Sequence, residues 1–224
     1  MSYLHKPLET GQLILKNRLV MPPMATSTSD IDGLVSKELL DYYDEKSQGG
    51  YISLIIIEHS FIAPEGKAHQ AQLSISSDKD IEGLKKLSDI IHKNGSKTVM
   101  QINHAGSAAN QDITGYQAVG PSAIVNPRQG VIPKELTKAE IKNIIDEFAA
   151  AALRVKKAGF DGVEIHSAHG YLLNQFFSPL TNKRTDEYGG DVLGRIKIHL
   201  EIIKAIRNSV GDDFPILLRL GASD

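Results

Sequence analysis

Short apolar runs alternate with longer amphipathic segments along most of this chain. The apolar runs are rich in β-branched residues and Leu, a composition typical of strands buried on both faces of a parallel sheet. They predict five strands, at 19–21, 52–57, 98–102, 162–165 and 216–220. The segments between them have helical spacing of apolar side chains and predict helices at 36–47, 81–93, 137–159 and 194–209. Strands that alternate with helices in this way are typical of a parallel sheet with right-handed crossovers.

Turn and cap signals support these boundaries. A small hairpin is expected at 8–15, with its turn at Gly11. Ser36 is predicted to cap the first helix, and Thr137 with Glu140 form a capping-box pattern at the start of the third. Nothing resembling a linker, an internal repeat or a low-complexity segment interrupts the pattern, so we expect residues 1–224 to form a single domain.

Two connections are longer than a plain crossover requires. The polar segment after the third strand reaches Pro133, and the segment after the fourth strand is expected to continue as an extended loop to Gly190. Long loops inside a compact domain commonly carry function. Both are therefore candidate active-site loops, because catalytic groups of a parallel barrel lie at the carboxyl ends of its strands.

Composition narrows the class of protein. The chain has 224 residues, 41% of them hydrophobic, and a formal net charge of -2, which is typical of a globular domain that acts on small molecules. No cluster of Lys and Arg predicts a nucleic-acid or membrane partner. Cysteine is absent, which excludes disulfides and thiolate metal ligands from this chain. No signal-peptide pattern or membrane span is visible, so we expect a cytoplasmic protein.

Three polar or titratable side chains follow the fourth predicted strand closely. His166, His169 and Tyr171 follow the run GFDGVEI within six positions. Two imidazoles three residues apart across a turn can converge on one oxygen atom, or they can be polar loop residues that bond the backbone. A zinc site is the remaining alternative, but no carboxylate or thiol pattern completes a tetrahedral ligand set, so we predict no metal.

Two further polar residues lie at or within predicted strands. Gln101 ends the third strand, where its amide offers both a donor and an acceptor, either to a ligand or to neighbouring rim residues. Arg219 interrupts the apolar run LLRLG of the fifth strand, and an unpaired buried charge is costly. Either a bound anionic group or an ion pair with a neighbour such as Glu164 would explain it.

Four segments carry a family resemblance, in order and spacing: NRLVMPPMAT, QINHAG, HSAHGYLLNQFFSPLTNKRTDEYGG and LRLGASD. Together they resemble the Old Yellow Enzyme family of flavin-dependent ene reductases and NADH:flavin oxidoreductases. The resemblance implies a (β/α)8 TIM barrel of which about the first five strand–helix units are present, preceded by the small hairpin. Members of the family are longer, so the last three units and the phosphate-binding elements are expected outside this sequence.

The resemblance also implies a reaction and its residues. A hydride would pass from NADH or NADPH to FMN, and from FMN to the β-carbon of an alkene conjugated to a carbonyl group. His166 and His169 would hold the carbonyl oxygen, and Tyr171 would deliver a proton to the α-carbon. The residues expected to contact the flavin are Pro23, Met24, Ala25, His59, Gln101 and Arg219.

Two of these positions depart from the family pattern. Relatives often carry Thr or Cys where this chain has Ala25, and a small residue where it has His59. Ala25 cannot form the hydrogen bond by which that side chain tunes the flavin, and His59 either crowds the flavin or offers it a new hydrogen bond.

Other functions remain open at the level of the sequence. Within the enzyme class, they are NADH oxidase, dienoyl-thioester reductase and a demethylating relative. From a different class, the chain is a non-catalytic half-barrel or a partner-binding remnant that keeps the motifs without the flavin. The expected partners are small-molecule substrates, with a homo-oligomer or a completing chain segment closing the barrel.

Overall fold

The predicted strands form one parallel sheet in the computed structural model, which describes residues 3–30 and 32–222. The strands are β1 (Val20–Met21), β2 (Leu54–Phe61), β3 (Lys97–Asn103), β4 (Gly162–Ser167) and β5 (Ile216–Leu220). They lie side by side in chain order, and every neighbouring pair is parallel. This arrangement confirms the prediction of the first five strands of a parallel barrel.

Four long helices connect these strands. They are α1 (Lys37–Ser47), α2 (Ile81–Lys93), α3 (Lys138–Lys157) and α4 (Val192–Val210). The Ser36 hydroxyl accepts from the Leu39 N–H at 3.0 Å, and the capping box of Thr137 and Glu140 is present, as predicted. In the part of the chain that the structure describes, none of the helices has the length and apolarity needed to cross a membrane.

The predicted hairpin forms from two short antiparallel strands, Leu8–Thr10 and Leu13–Leu15, with Gly11 at φ 57°. Its buried residues Leu13 and Leu15 pack against one end of the inner face of the sheet. That cluster also includes Leu54, Ile56 and Val99. The hairpin therefore covers the end of the sheet opposite the one where polar residues gather.

Alternation along the strands divides the sheet into two chemically different faces. Ile55, Met100 and Val163 point to the outer face, where they join one large core with the helices. The inner face is apolar near the hairpin. Gln101 and Glu164 lie opposite each other farther along it, and His166 lies opposite Arg219. The sheet thus brings its polar residues to the carboxyl ends of the strands.

The second strand differs from its prediction. It runs from Leu54 to Phe61 rather than over 52–57, so Glu58 and His59 lie within the strand and not at its exit. The pairing shifts between Ile57 and Ser60, a β-bulge that the alternation of residue types does not reveal.

The two long connections also contain structure that the sequence pattern did not indicate. After β3 come the 3-10 turn Gly106–Ala108 and the short helix Gln111–Thr114, then the paired strands Val119–Gly120 and Lys134–Glu135. After β4, the prediction of a continuous extended loop was wrong, because Leu172–Phe177 is a short helix. Ser223 and Asp224 of the LRLGASD segment lie outside the described residues.

Candidate active site

His166 lies within β4 rather than after it, and His169 and Tyr171 follow in the turn, so that the three side chains form one ring cluster at the carboxyl end of the strand. The ring centroid of His166 is 5.0 Å from that of His169 and 5.1 Å from that of Tyr171. His59 of β2 joins them, with its centroid 5.4 Å from Tyr171 and 6.1 Å from His166. The structure therefore brings together the three predicted catalytic residues and one predicted cofactor-binding residue.

The β-bulge explains how β2 reaches this cluster. In a regular strand, Glu58 and His59 would point to opposite faces. Between the pairs Ile57–Met100 and Ser60–Ile102, however, these two residues lie opposite Gln101 alone. His59 can thus contact the rings of β4, while the Glu58 carboxylate turns toward the loop after β1.

The positions of the protons on His166 and His169 follow from the hydrogen bonds of the two rings. His166 Nδ1 accepts from the backbone N–H of Ala168 at 3.3 Å and so carries no proton. The proton of neutral His166 is therefore on Nε2, which lies 3.2 Å from His169 Nδ1. That contact makes His169 Nδ1 the acceptor and leaves the His169 proton on Nε2. Both rings therefore carry their proton on Nε2, and the proton of His166 is donated to His169.

The loop that carries His169 is held in an unusual conformation. His169 has φ 60°, in the left-handed region that few side chains other than Asn and Asp adopt readily. Gln175, which the sequence analysis did not single out, fixes this loop: its amide donates to the carbonyl oxygens of Gly170 at 2.7 Å and Ala105 at 3.0 Å. A buried Gln at a helical position carries no distinctive sequence signal, so only the structure identifies this positioning role.

Burial keeps the imidazoles of the cluster neutral. Burial lowers the pKa of His166 to about 3, and the positive charge of Arg219 acts in the same direction, as do His59 and His169 when they are protonated. Burial likewise lowers the pKa of His59 to about 4, with His69 and His169 adding to the effect. The pKa of Tyr171 is raised, mainly by burial, so its hydroxyl keeps its proton at neutral pH. The cluster therefore consists of neutral donors.

Arg219 lies beside the cluster in register with His166. It lines a cavity of about 650 Å³ together with His169, Asn126 and Gln175. The alternative in which Arg219 pairs with Glu164 is wrong for the described part of the chain, because no ion pair joins them and the Glu164 carboxylate accepts instead from Gln101 Nε2 at 2.7 Å. The positive charge of Arg219 still opposes the burial that raises the pKa of Glu164. Its guanidinium thus remains available to an anionic or polar group.

The remaining predicted residues lie at the exit of β1. Pro23 is half-buried, Ala25 is exposed and Met24 is 55% exposed. Glu58, which the sequence analysis did not assign to the site, anchors this loop: its Oε2 accepts from the Thr26 N–H at 2.9 Å. The apolar run before it was interpreted only as a strand, so the sequence did not indicate the role of Glu58.

These residues fit the pyrimidine edge of a flavin. Gln101 supplies an amide whose orientation is fixed by Glu164, and Arg219 supplies a cation that forms no ion pair with a described residue. Both lie on the inner face of the sheet, near the carboxyl ends of their strands. Across residues 3–30 and 32–222, no group of three or more His, Asp or Glu side chains is arranged to hold a metal ion.

Folding stability should fall as the pH is lowered from 7 to 4. The pKa values of His59, His104, His166 and His199 are lowered to between about 3 and 4, whereas an unfolded histidine titrates near 6.5. Between these values the unfolded chain binds protons that the folded chain excludes, which costs about 1.4 kcal/mol per pH unit for each group. Urea unfolding at a series of pH values measures the slope. His166→Asn should make it shallower, and equal free energies of unfolding at pH 7 and pH 5 would contradict the burial of neutral imidazoles.

Glu58→Ala should loosen the loop after β1. Loss of the acceptor for the Thr26 N–H should speed amide hydrogen exchange at Thr26 by about tenfold, which corresponds to one hydrogen bond. Glu58→Gln keeps an acceptor oxygen and should preserve most of the protection. Unchanged exchange at Thr26 in the alanine variant would show that Glu58 does not anchor this loop.

Comparison with known proteins identifies the same family as the sequence motifs. The model of the NADH:flavin oxidoreductase / NADH oxidase family matches residues 3–224. An NADH oxidase of Thermoanaerobacter brockii is 46% identical over 216 residues, and an NADPH dehydrogenase of Clostridium acetobutylicum is 46% identical over 212 residues. These alignments cover 96% and 95% of this chain.

Solved structures agree with the sequence matches. An Old Yellow Enzyme from Pichia sp. AKU4542 superposes with a TM-score of 0.90 and 35% identity, covering 97% of this chain and 59% of its own. Morphinone reductase in complex with tetrahydroNAD superposes with a TM-score of 0.89 and 30% identity, covering 98% and 64%.

The match covers only part of the relatives. This chain spans 33% of the length of the Thermoanaerobacter NADH oxidase and 62% of that of the Clostridium NADPH dehydrogenase. The matched part nevertheless contains the parallel strands and the whole ring cluster described above. On the family model, the relatives and the superposed structures together, the chain belongs to the NADH:flavin oxidoreductase / NADH oxidase family, which includes its Old Yellow Enzyme neighbours.

Proposed function

We propose that this chain contributes the substrate site of an FMN-dependent enzyme that transfers a hydride from NADH or NADPH to an alkene conjugated to a carbonyl group. The observation that carries the proposal is the cluster of neutral Nε2–H donors at His166 and His169 beside the protonated hydroxyl of Tyr171. When bound, FMN supplies the two-electron chemistry that no amino-acid side chain provides. The chain itself supplies orientation, polarisation and a proton.

His166 and His169 are suited to hold the carbonyl oxygen of the substrate. Negative charge develops on that oxygen when the β-carbon receives a hydride, so donors that are already in place stabilise the transition state. In the structure, His166 Nε2 donates to His169 Nδ1 at 3.2 Å. A substrate oxygen would compete for this proton and also accept from His169 Nε2–H. Because both rings are neutral, they donate without giving up a full proton.

Tyr171 is suited to complete the reduction. Protonation of the α-carbon requires an acid that keeps its proton until charge develops nearby, and the raised pKa of Tyr171 satisfies this condition. Its ring contacts both His166 and His59, which limits the directions that the hydroxyl can take. Tyr171 is therefore the proton donor in this proposal.

The cofactor side of the site is formed by neighbouring strands. Gln101 and Arg219 would hold the pyrimidine edge of the flavin, while Pro23, Met24 and Ala25 would border it at the exit of β1. Arg219 is a permanent cation next to a ring system that becomes more negative on reduction, so it would favour the reduced form.

Molecular oxygen is the competing acceptor, as the name of the NADH oxidase relative indicates for that protein. Oxygen has no carbonyl group for paired donors to hold. The donor geometry of His166 and His169 therefore favours an activated alkene, either an enone or the thioester of a dienoic acid, over oxygen as the acceptor. A non-catalytic half-barrel is the alternative outside the enzyme class, and a visible absorption spectrum distinguishes it, because a chain that stays colourless with added FMN does not perform this reaction.

Tyr171→Phe should separate the two halves of the reaction. Flavin reduction by NADH or NADPH should proceed at the rate of the unaltered protein, whereas oxidation by cyclohex-2-enone should slow by at least tenfold, because the α-carbon lacks its proton donor. Anaerobic stopped-flow absorbance of the FMN-loaded protein measures both steps. Equal slowing of the two would remove Tyr171 from the role of proton donor.

His169→Ala should weaken the binding of phenol, a mimic of the carbonyl oxygen, by about tenfold, because one N–H donor is lost. The matched control is His169→Asn, since Asn tolerates φ 60° and retains an N–H donor. Titration followed by the flavin absorbance gives the dissociation constants. Unchanged affinity in the alanine variant would contradict the oxygen-holding role of His169.

A further inference from the structure

Gln72 holds His59 in a way that neither the sequence motifs nor the comparisons assign. The amide of Gln72 is fully buried. Its Oε1 accepts from the backbone N–H of Ala68 at 2.6 Å, and its Nε2 donates to the carbonyl oxygen of His59 at 3.1 Å. A backbone N–H can only donate and a carbonyl oxygen can only accept, so these two contacts fix which end of the amide is nitrogen.

The orientation of the amide determines the tautomer of His59. The same Gln72 Nε2 lies 2.7 Å from His59 Nδ1. An NH₂ group has two hydrogens and no acceptor, so His59 Nδ1 must be the acceptor and the proton of neutral His59 is on Nε2. Gln72 is therefore a positioning residue that sets the donor direction of a neighbouring ring.

The Nε2–H group of His59 has no acceptor among the described residues, and its ring belongs to the ring cluster described above. His59 contacts Tyr171 and His166 on one side, while His69 packs edge-on against it at 5.5 Å. The Nδ1 atom of His59 already accepts a hydrogen bond from Gln72 Nε2. The Nε2–H group of His59 can therefore donate to a ligand.

His59 and His169 lie at different places around His166. Each contacts the His166 ring, at 6.1 Å and 5.0 Å between centroids, but no ring contact joins His59 to His169. One oxygen held by His166 and His169 therefore does not satisfy His59 as well. A carbonyl oxygen has two lone pairs, which His166 and His169 would use, so a ligand that uses all three donors needs a second acceptor atom.

We propose that Gln72 holds His59 in its Nε2–H form so that His59 donates to a second acceptor group on the substrate, which makes it a specificity-determining residue for alkenes activated by two carbonyl groups. The inference rests on the proposed function and deepens it. It assigns His59 to the substrate rather than to the flavin and names a substrate class, of which cyclic imides such as maleimide are the simplest members.

The tautomer is tested without FMN or turnover. Long-range ¹H–¹⁵N spectra of the 224-residue chain should show His59 with its proton on Nε2. Gln72→Glu keeps an acceptor for the Ala68 N–H but presents an acceptor to His59 Nδ1, so it should move the proton to Nδ1. A proton on Nδ1 in the unaltered protein, or no change in the variant, would overturn the inference.

The substrate class is tested with maleimide and cyclopent-2-enone, which share a five-membered ring and differ in the second carbonyl group. His59→Phe keeps an aromatic ring and removes the donor. It should lower kcat/KM of the FMN-loaded protein for maleimide by about five- to tenfold relative to cyclopent-2-enone, the size of one hydrogen bond. Gln72→Glu should do the same, and the control His69→Phe, which keeps the edge-on ring contact, should leave the ratio unchanged.

The outcomes separate this inference from the proposed function. An unchanged ratio in His59→Phe, with both compounds still reduced, overturns only the role of His59. Failure of the unaltered FMN-loaded protein to reduce either compound overturns the proposed function and this inference with it. A reduced ratio in both His59→Phe and Gln72→Glu, together with the tautomer change, supports the inference.

Discussion

The parallel register of β3, β4 and β5 is the constraint on which the candidate site depends. It sets Gln101 beside Glu164 and His166 beside Arg219 on the inner face of the sheet. A shift of one residue in either pairing would move these side chains to the outer face, among the apolar residues of the helices. The apolar alternation that stabilises the core therefore also determines which polar groups meet at the carboxyl ends of the strands.

Burial then determines the chemical state of the site. The imidazoles of His59 and His166 are neutral because the surrounding protein excludes the water that would stabilise their charge. Cations contribute in the same direction: Arg219 lowers the pKa of both His166 and His169. A site of neutral donors next to fixed positive charge is suited to stabilise negative charge on a ligand. Hydrogen bonds from Gln72 then fix the orientation of His59, and those from Gln175 fix the loop that carries His169.

Much of this arrangement could be predicted from the sequence, since apolar periodicity depends on local composition. The helix Ile81–Lys93 and the strand Ile216–Leu220 were predicted to the residue. The ring cluster of β4 could be predicted from residue types and family motifs, and the structure brings its members together. The bulge at Glu58 could not be predicted, because it depends on pairing with a neighbouring strand rather than on residue type. The short helix Leu172–Phe177 is stabilised partly by contacts from distant loops, such as the hydrogen bond from the Leu172 N–H to the His104 carbonyl oxygen, and these contacts leave no periodic pattern.

Because of the bulge, the adjacent residues Glu58 and His59 make different contacts. Glu58 bonds the loop after β1, whereas His59 contacts the ring cluster and is held by Gln72. A substitution at position 59 can therefore change the ring cluster without releasing the loop that Glu58 anchors. The fold thus provides a position at which the ring cluster can diverge between relatives, or be redesigned, independently of the hydrogen bond that anchors the loop after β1.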